Sequence, residues 1–177
     1  LLAPTLAPER LARELRGETP GLDARRVYLA ERRGRLVGTL AAWDLGGCKR
    51  THVLAYPPSA RLLRLGHGAL RLVARRAAPL PAPGQAFRAL HAARVAVIDR
   101  DPAVLRDLLR AVVADHLGRG VHMVHLGLAA GDPLARALRG WPVQHFRSTI
   151  YAFARDDPRW RRVLARAQDP VLEAARI

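Results

Sequence analysis

The sequence predicts a mixed α/β fold, a twisted sheet flanked by helices and interrupted by a long helical insertion. Three observations predict it. Val27 to Glu31 and Leu36 to Trp43 are β-like runs separated by Arg32-Arg33-Gly34-Arg35, a spacing that closes an antiparallel hairpin. Leu90 to Ile98, Pro102 to Leu117 and Val121 to Leu128 read as strand, helix and strand, the unit that brings two strands parallel through a crossover. Between Gly46-Gly47-Cys48-Lys49 and that first central strand, the pair Pro57-Pro58 and the prolines Pro79, Pro81 and Pro83 bracket a stretch with helical character.

Taken in chain order, Pro8 to Arg16 is a short helix, with proline tolerated in its first turn, Leu11 and Leu15 four apart, and Gly17 to end it. The hairpin follows. In the bracketed stretch Arg61, Arg64, Arg71 and Arg75 fall near one helical face, while Leu62, Leu65, Leu72 and Val73 lie largely elsewhere. Such a basic amphipathic segment suits either a helix that covers a sheet with its arginines in water or a contact with nucleic acid or an acidic membrane surface. The covering helix is the expected arrangement, broken into two pieces if Gly66 and Gly68 interrupt it. Asp101 is the expected N-cap of the helix from Pro102, whose stripe is Val104, Leu105, Leu108, Leu109, Val112 and Val113. Gly118 and Gly120 close that helix. A second capped helix starts at Asp132-Pro133 and runs to about Arg139, His145 to Ala154 alternates like a final strand, and helical signals recur around Trp160 to Ala167 and after Asp169-Pro170.

At 177 residues, half of them apolar, the chain is long enough for one domain with its own core. No apolar run reaches the roughly 20 residues of a spanning helix. The lone Cys48 cannot form an internal disulfide and no Cys/His spacing suggests a metal site, which leads to the expectation of a soluble, cytoplasmic protein without a metal. His122 and His125, three apart in a strand, point to opposite faces and do not chelate one ion. A net charge of +15 raises nucleic acid as a partner. Of the 30 basic residues, however, only Lys49 is a lysine, and the Ala, Leu, Gly and Pro richness suggests a GC-rich coding sequence in which arginine stands for ordinary surface lysine.

The element order from Val27 to Ala154 resembles the GNAT family of acyl-CoA-dependent N-acyltransferases. Gly34-Arg35-Leu36-Val37-Gly38 is similar to the family's hairpin between its second and third strands, and Ala92-Ala93-Arg94-Val95-Ala96-Val97 occupies the place of its fourth. Gly127-Leu128 followed by Asp132-Pro133-Leu134-Ala135-Arg136-Ala137-Leu138 looks like its fifth strand and the helix after it, where Asn-x-x-Ala-x-x-Leu is usual, with Asp132, Ala135 and Leu138 in register. The resemblance implies a GNAT-like mixed twisted sheet with the helical insertion between the family's third and fourth strands. It also implies an acyl-CoA cofactor, acetyl-CoA in the first instance, and an amine substrate. The family's own first strand and helix would precede Pro8, so that about 30 residues are missing by analogy. This suits the second half of a tandem GNAT protein, with residues 1–154 as the acyltransferase-like domain and 155–177 as a helical tail.

Two departures accompany the resemblance. Active members carry a Gln/Arg-x-x-Gly-x-Gly/Ala turn whose free N–H groups, at a positive helix end, receive the CoA pyrophosphate. Here the turn reads Asp99-Arg100-Asp101-Pro102-Ala103-Val104, without glycine, with Pro102 lacking an N–H and with two carboxylates facing an incoming phosphate. Val97, Ile98, Arg100, Asp101, Ala103 and Val104 are the implied cofactor contacts, Arg100 and Arg106 offsetting part of the repulsion. The family's proton donor, a Tyr one position after the Leu matched by Leu138, is replaced by Arg139, which stabilises a thiolate but does not protonate it. The nearby phenols by pattern, Tyr28 and Tyr151, read as strand residues. Asp44 and His91 are the candidate bases for the amine. The alternatives are therefore an active N-acyltransferase, a degenerate domain that has lost CoA and pairs with a partner GNAT domain or a second copy of itself, and an arginine-rich contact with nucleic acid or an acidic surface.

Overall fold

The computed structural model describes residues 8–73 and 78–149. Helix α1 (Pro8–Arg13) carries Glu9 in its first turn and runs into a wide turn, Glu14–Glu18, which ends where Gly17 takes φ +103°. Strands β1 (Val27–Arg32) and β2 (Arg35–Asp44) pair antiparallel, with Arg32 opposite Arg35. The two residues between them, Arg33 and Gly34, both have positive φ (53° and 73°), the type I′ geometry that matches the twist of a hairpin. β3 (Thr51–His52) and β4 (Ala86–Phe87) form a separate two-stranded ladder at the base of the insertion, which holds α2 (Pro58–Val73). β5 (Ala89–Val97) then returns to the main sheet, α3 (Pro102–His116) crosses over, and β6 (Met123–Leu126) lies parallel to β5. The four-stranded sheet has the order β1-β2-β5-β6.

Alternation along the strands divides the core between the two faces. Leu40 and Ala42 of β2 and Leu90 and Ala92 of β5 meet Val104, Leu105, Leu108, Leu109 and Val112 of α3, five of the six stripe positions expected from the sequence, while Val113 lies outside this cluster. The short 3₁₀ turn Pro133–Leu138 adds Leu134 and Ala137 to the same cluster. Side chains of one-residue offset, Ala41, Trp43 and Ala93, face the other way and pack with Leu22 and Leu45 under Leu15 and Val27. Fully buried Leu40, Leu90 and Leu105 each contribute roughly 1.5–3 kcal/mol by leaving water.

The structure departs from the sequence reading in four places. α2 is one continuous helix across Gly66 and Gly68, and it covers no sheet: it has no extensive packing with another element among the described residues, and Leu62 and Leu65 are exposed. The strand expected over Val121 to Leu128 is restricted to Met123–Leu126, which pairs with Ala89 to Ala92 of β5 before the two strands part. The helix at Pro133 is a 3₁₀ turn of six residues. Of the strand expected from His145 to Ala154, residues 145–149 are exposed and join no ladder among the described residues, and 150–154, with Tyr151, lie outside them, as does the tail 155–177. No helix among the described residues is long and apolar enough to cross a membrane.

Candidate functional site

The strands β5 and β6 part company part-way along the sheet. Their ladder runs from Ala89 opposite Met123 to Ala92 opposite Leu126, after which β5 continues to Val97 paired only with β2. Among the described residues the edge of β5 from Ala93 to Val97 is therefore open on that side, and it leads straight into the turn before α3.

At the apex of this opening lie two histidines. Leu90 and Ala92 belong to the α3 side of the sheet, so His91 points to the opposite face, where His125 sits beside it on β6 and Trp43 opposite it on β2. The two imidazoles meet edge to face, with centroids 4.8 Å apart. His91 is only 8% exposed, and its Nδ1 is buried with no hydrogen-bond partner among the described residues. Burial, then the charges of His125 and Lys49, push its pKa down to about 4, and burial with Lys49 moves His125 the same way. Both rings are neutral near pH 7 and present acceptor nitrogens.

This depression makes stability fall in mild acid. An unfolded His91 takes a proton near 6.5, whereas the folded one waits until about 4, so the unfolded state binds more protons throughout that window and stability declines as pH drops through it. Between pH 7 and 4.5 the loss from His91 is about 2.5 kcal/mol. Urea midpoints at the two pH values measure it, with a smaller dependence expected in His91→Gln. An unchanged midpoint in the wild type would show that His91 titrates normally.

The turn between β5 and α3 combines two features that pull in different directions. Asp99 and Arg100 adopt left-handed φ (54° and 49°), the backbone form in which glycine is usual. The Asp101 carboxylate, however, accepts from the Ala103 N–H at 2.9 Å, capping α3 as its sequence position predicts, and is also met by the Arg32 guanidinium at 3.3 Å. Arg100 Nη1 stands 3.8 Å from Asp132. Arg106 is turned away from the turn, since its guanidinium donates to the carbonyls of Arg136, Ala137 and Arg139 at 3.0–3.3 Å and so caps the 3₁₀ turn. Val97 packs against the α3-side core, Val104 is buried within it, and Ile98 is exposed.

Asp44, at the end of β2, accepts from Arg88 Nη2 at 2.6 Å and from the Gly46 N–H at 3.0 Å, with Arg26 at 3.2 Å. Burial raises its pKa, but these bonds and charges outweigh burial and hold the carboxyl below its usual range. A carboxylate so engaged is a poor acceptor for an ammonium proton. Arg139 lies at the end of the 3₁₀ turn on the α3 side and is exposed. The structure thus brings His91 to the opening, ties Asp44 into a cation cluster nearby, and leaves Arg139 on a separate turn.

No protein-family model matches the sequence, and no curated protein matches it. Crystal structures of TTHA1254 from Thermus thermophilus, wild type and a point mutant, cover 85% of this chain and 95% of theirs at 20% and 18% identity, with TM-scores of 0.43 and 0.44. A likeness at that level carries no argument about function.

His125 is the site residue that sequence reasoning passed over. Its sequence neighbour His122 is elsewhere, with its ring stacked on Phe87 and its Nδ1 3.0 Å from the Arg88 N–H. Only the parallel register, which aligns residue 125 with 91, reveals the pairing. Tyr28 donates its hydroxyl to Asp115 at 2.9 Å, and burial together with that bond pushes its pKa up to about 12, consistent with a structural role. Among the described residues no three His, Cys, Asp or Glu side chains gather as a metal site.

Proposed function

We propose that this chain is a GNAT-type N-acyltransferase domain, moving an acyl group, acetyl in the first instance, from acyl-CoA to an amine. The observation that supports it most is the parting of β5 and β6 at Ala92 and Leu126, which leaves the backbone of Ala93 to Val97 open to an amide-bearing chain such as the pantetheine arm. That strand edge fits the arm. The turn fits the pyrophosphate poorly, because Asp101 already occupies the Ala103 N–H, Pro102 has none to give and Asp99 adds a second carboxylate. When bound, the cofactor supplies an activated thioester. The chain's own contribution is to align that arm along β5 and to place the neutral imidazoles of His91 and His125 one residue short of the opening, where a His91 ring nitrogen with a pKa of about 4 is too weak a base to take the amine's proton and orients the amine as a hydrogen-bond acceptor. Arg139, exposed on a separate turn on the α3 side, takes no part in this arrangement.

Incubating acetyl-CoA with a panel of amines and following product by mass spectrometry tests the proposal. Acetylated product is expected with at least one amine, together with release of free CoA. No product and no CoA release with any amine would overturn it.

The occupied helix terminus favours a second reading, a domain that no longer binds CoA and instead pairs with another GNAT domain or with its own copy. Calorimetry separates the two. A dissociation constant for acetyl-CoA in the low micromolar range, of order −8 kcal/mol, would reject the degenerate domain.

A further inference from the structure

The geometry of the insertion points to a membrane-surface contact: we infer that α2 lays its leucine stripe on an anionic lipid bilayer. The helix is anchored by its polar side. Tyr56 donates its hydroxyl to the Pro81 carbonyl at 2.7 Å, Arg61 donates to the Tyr56 carbonyl at 3.2 Å, the Arg64 guanidinium stands 5.5 Å above the Tyr56 ring, and a His67 ring nitrogen lies 2.9 Å from the Ala78 carbonyl. Polar groups therefore face the stalk, and Leu62 and Leu65, three apart on one face, point outward at 72% and 71% exposure. A helix that covered its own sheet would be turned the other way.

Charge complementarity selects the occupant. Residues 45–98 contain nine basic residues and not one Asp or Glu, so the segment that carries the exposed leucines is cationic or neutral along its length. A second copy docking through α2 would set arginine against arginine with no acid from this segment between them. Nucleic acid would meet the charges but gains nothing from outward leucines, and Tyr56 is the only Phe, Tyr or Trp from 53 to 86 to stack on a base. Leucines flanked by arginines on one amphipathic helix match the interface of an anionic bilayer, where acyl chains take the first and headgroups the second. This inference does not depend on the acyltransferase reading.

The test is flotation of the full chain with phosphatidylcholine vesicles and with the same vesicles containing phosphatidylserine, at low and moderate salt. Binding is expected only with phosphatidylserine, weakening with salt, and falling at least about tenfold in the double variant Leu62→Ser/Leu65→Ser. Both leucines are solvent-exposed, so the variant keeps the fold, which far-ultraviolet circular dichroism checks. Three results would overturn the inference: no binding to phosphatidylserine vesicles at low salt, binding that the double variant leaves intact, or a dimer in sedimentation that the double variant dissociates. Duplex DNA binding with a steep salt slope, in the absence of vesicle binding, would assign the surface to nucleic acid instead.

Discussion

Gly21→Ala is expected to cost about 4 kcal/mol and to lower the melting temperature by roughly 10 °C. Two separate effects add at this residue. Gly21 has φ +79°, a region where an L side chain is strained by roughly 1–2 kcal/mol. A Cβ there would also sit 1.7 Å from the carbonyl oxygen of Asp44, a backbone atom in the sheet that cannot swing aside. The close approach exists because the Asp44 N–H donates to the Gly21 carbonyl at 3.1 Å, while Trp43 Nε1 donates to Pro20 at 2.9 Å, sewing the chain before β1 onto the end of β2. Relieving the clash separates the two segments, exposes Trp43 and loosens the cluster around Leu22. Gly34→Ala supplies the contrast: its φ is also positive but its Cβ meets nothing within 4 Å, so only the strain remains and the loss stays near 1 kcal/mol. Equal losses in the two variants, measured by urea unfolding, would show that the contact with Asp44 does not matter.

The features legible in the sequence were those encoded by neighbours along the chain. Arg33-Gly34 between two alternating runs specifies its hairpin locally, and Asp101-Pro102 before a leucine and valine stripe specifies a capped helix and the face it buries. The strand-helix-strand order then fixes β6 beside β5. What stayed hidden depends on register between distant segments. His91 and His125 meet only because the parallel ladder aligns them, and Asp44 loses its appeal as a base only when Arg26 and Arg88 converge on it. α2 was legible as a basic amphipathic helix, yet its orientation is decided by Tyr56, Pro81 and Ala78 on the stalk. The alternation of residues 145–149 promised a strand, but a strand also requires a partner along its ladder, and none pairs with these residues among the described ones.

Arg94 is the residue where such hidden register has the largest energetic consequence after Gly21. Thr39 lies opposite Ala96 and Ala41 opposite Ala93, so Leu40 faces two residues, Arg94 and Val95, in a bulge. Arg94 takes φ +52° there, and Thr39 Oγ1 donates to its carbonyl at 3.2 Å. The extra residue resets the alternation: Ala93 and Arg94 both serve the α1 side, where the guanidinium pairs with Glu14, and Val95 returns to the α3-side core. Glu14 is 7% exposed, and Arg94→Ala removes one cation paired with this buried carboxylate, a loss expected at about 3–5 kcal/mol. Arg94→Lys keeps the charge but not the planar fork and should recover part of it. The double variant Arg94→Met/Glu14→Met, which removes both charges and keeps apolar volume, should be more stable than Arg94→Ala. A double-mutant cycle with Glu14→Gln provides the readout that packing alone would not move. If the arginine acts through its charge, Arg94→Ala costs less in the Glu14→Gln background than in the wild type, and equal costs would mean that it acts through the bulge and its packing.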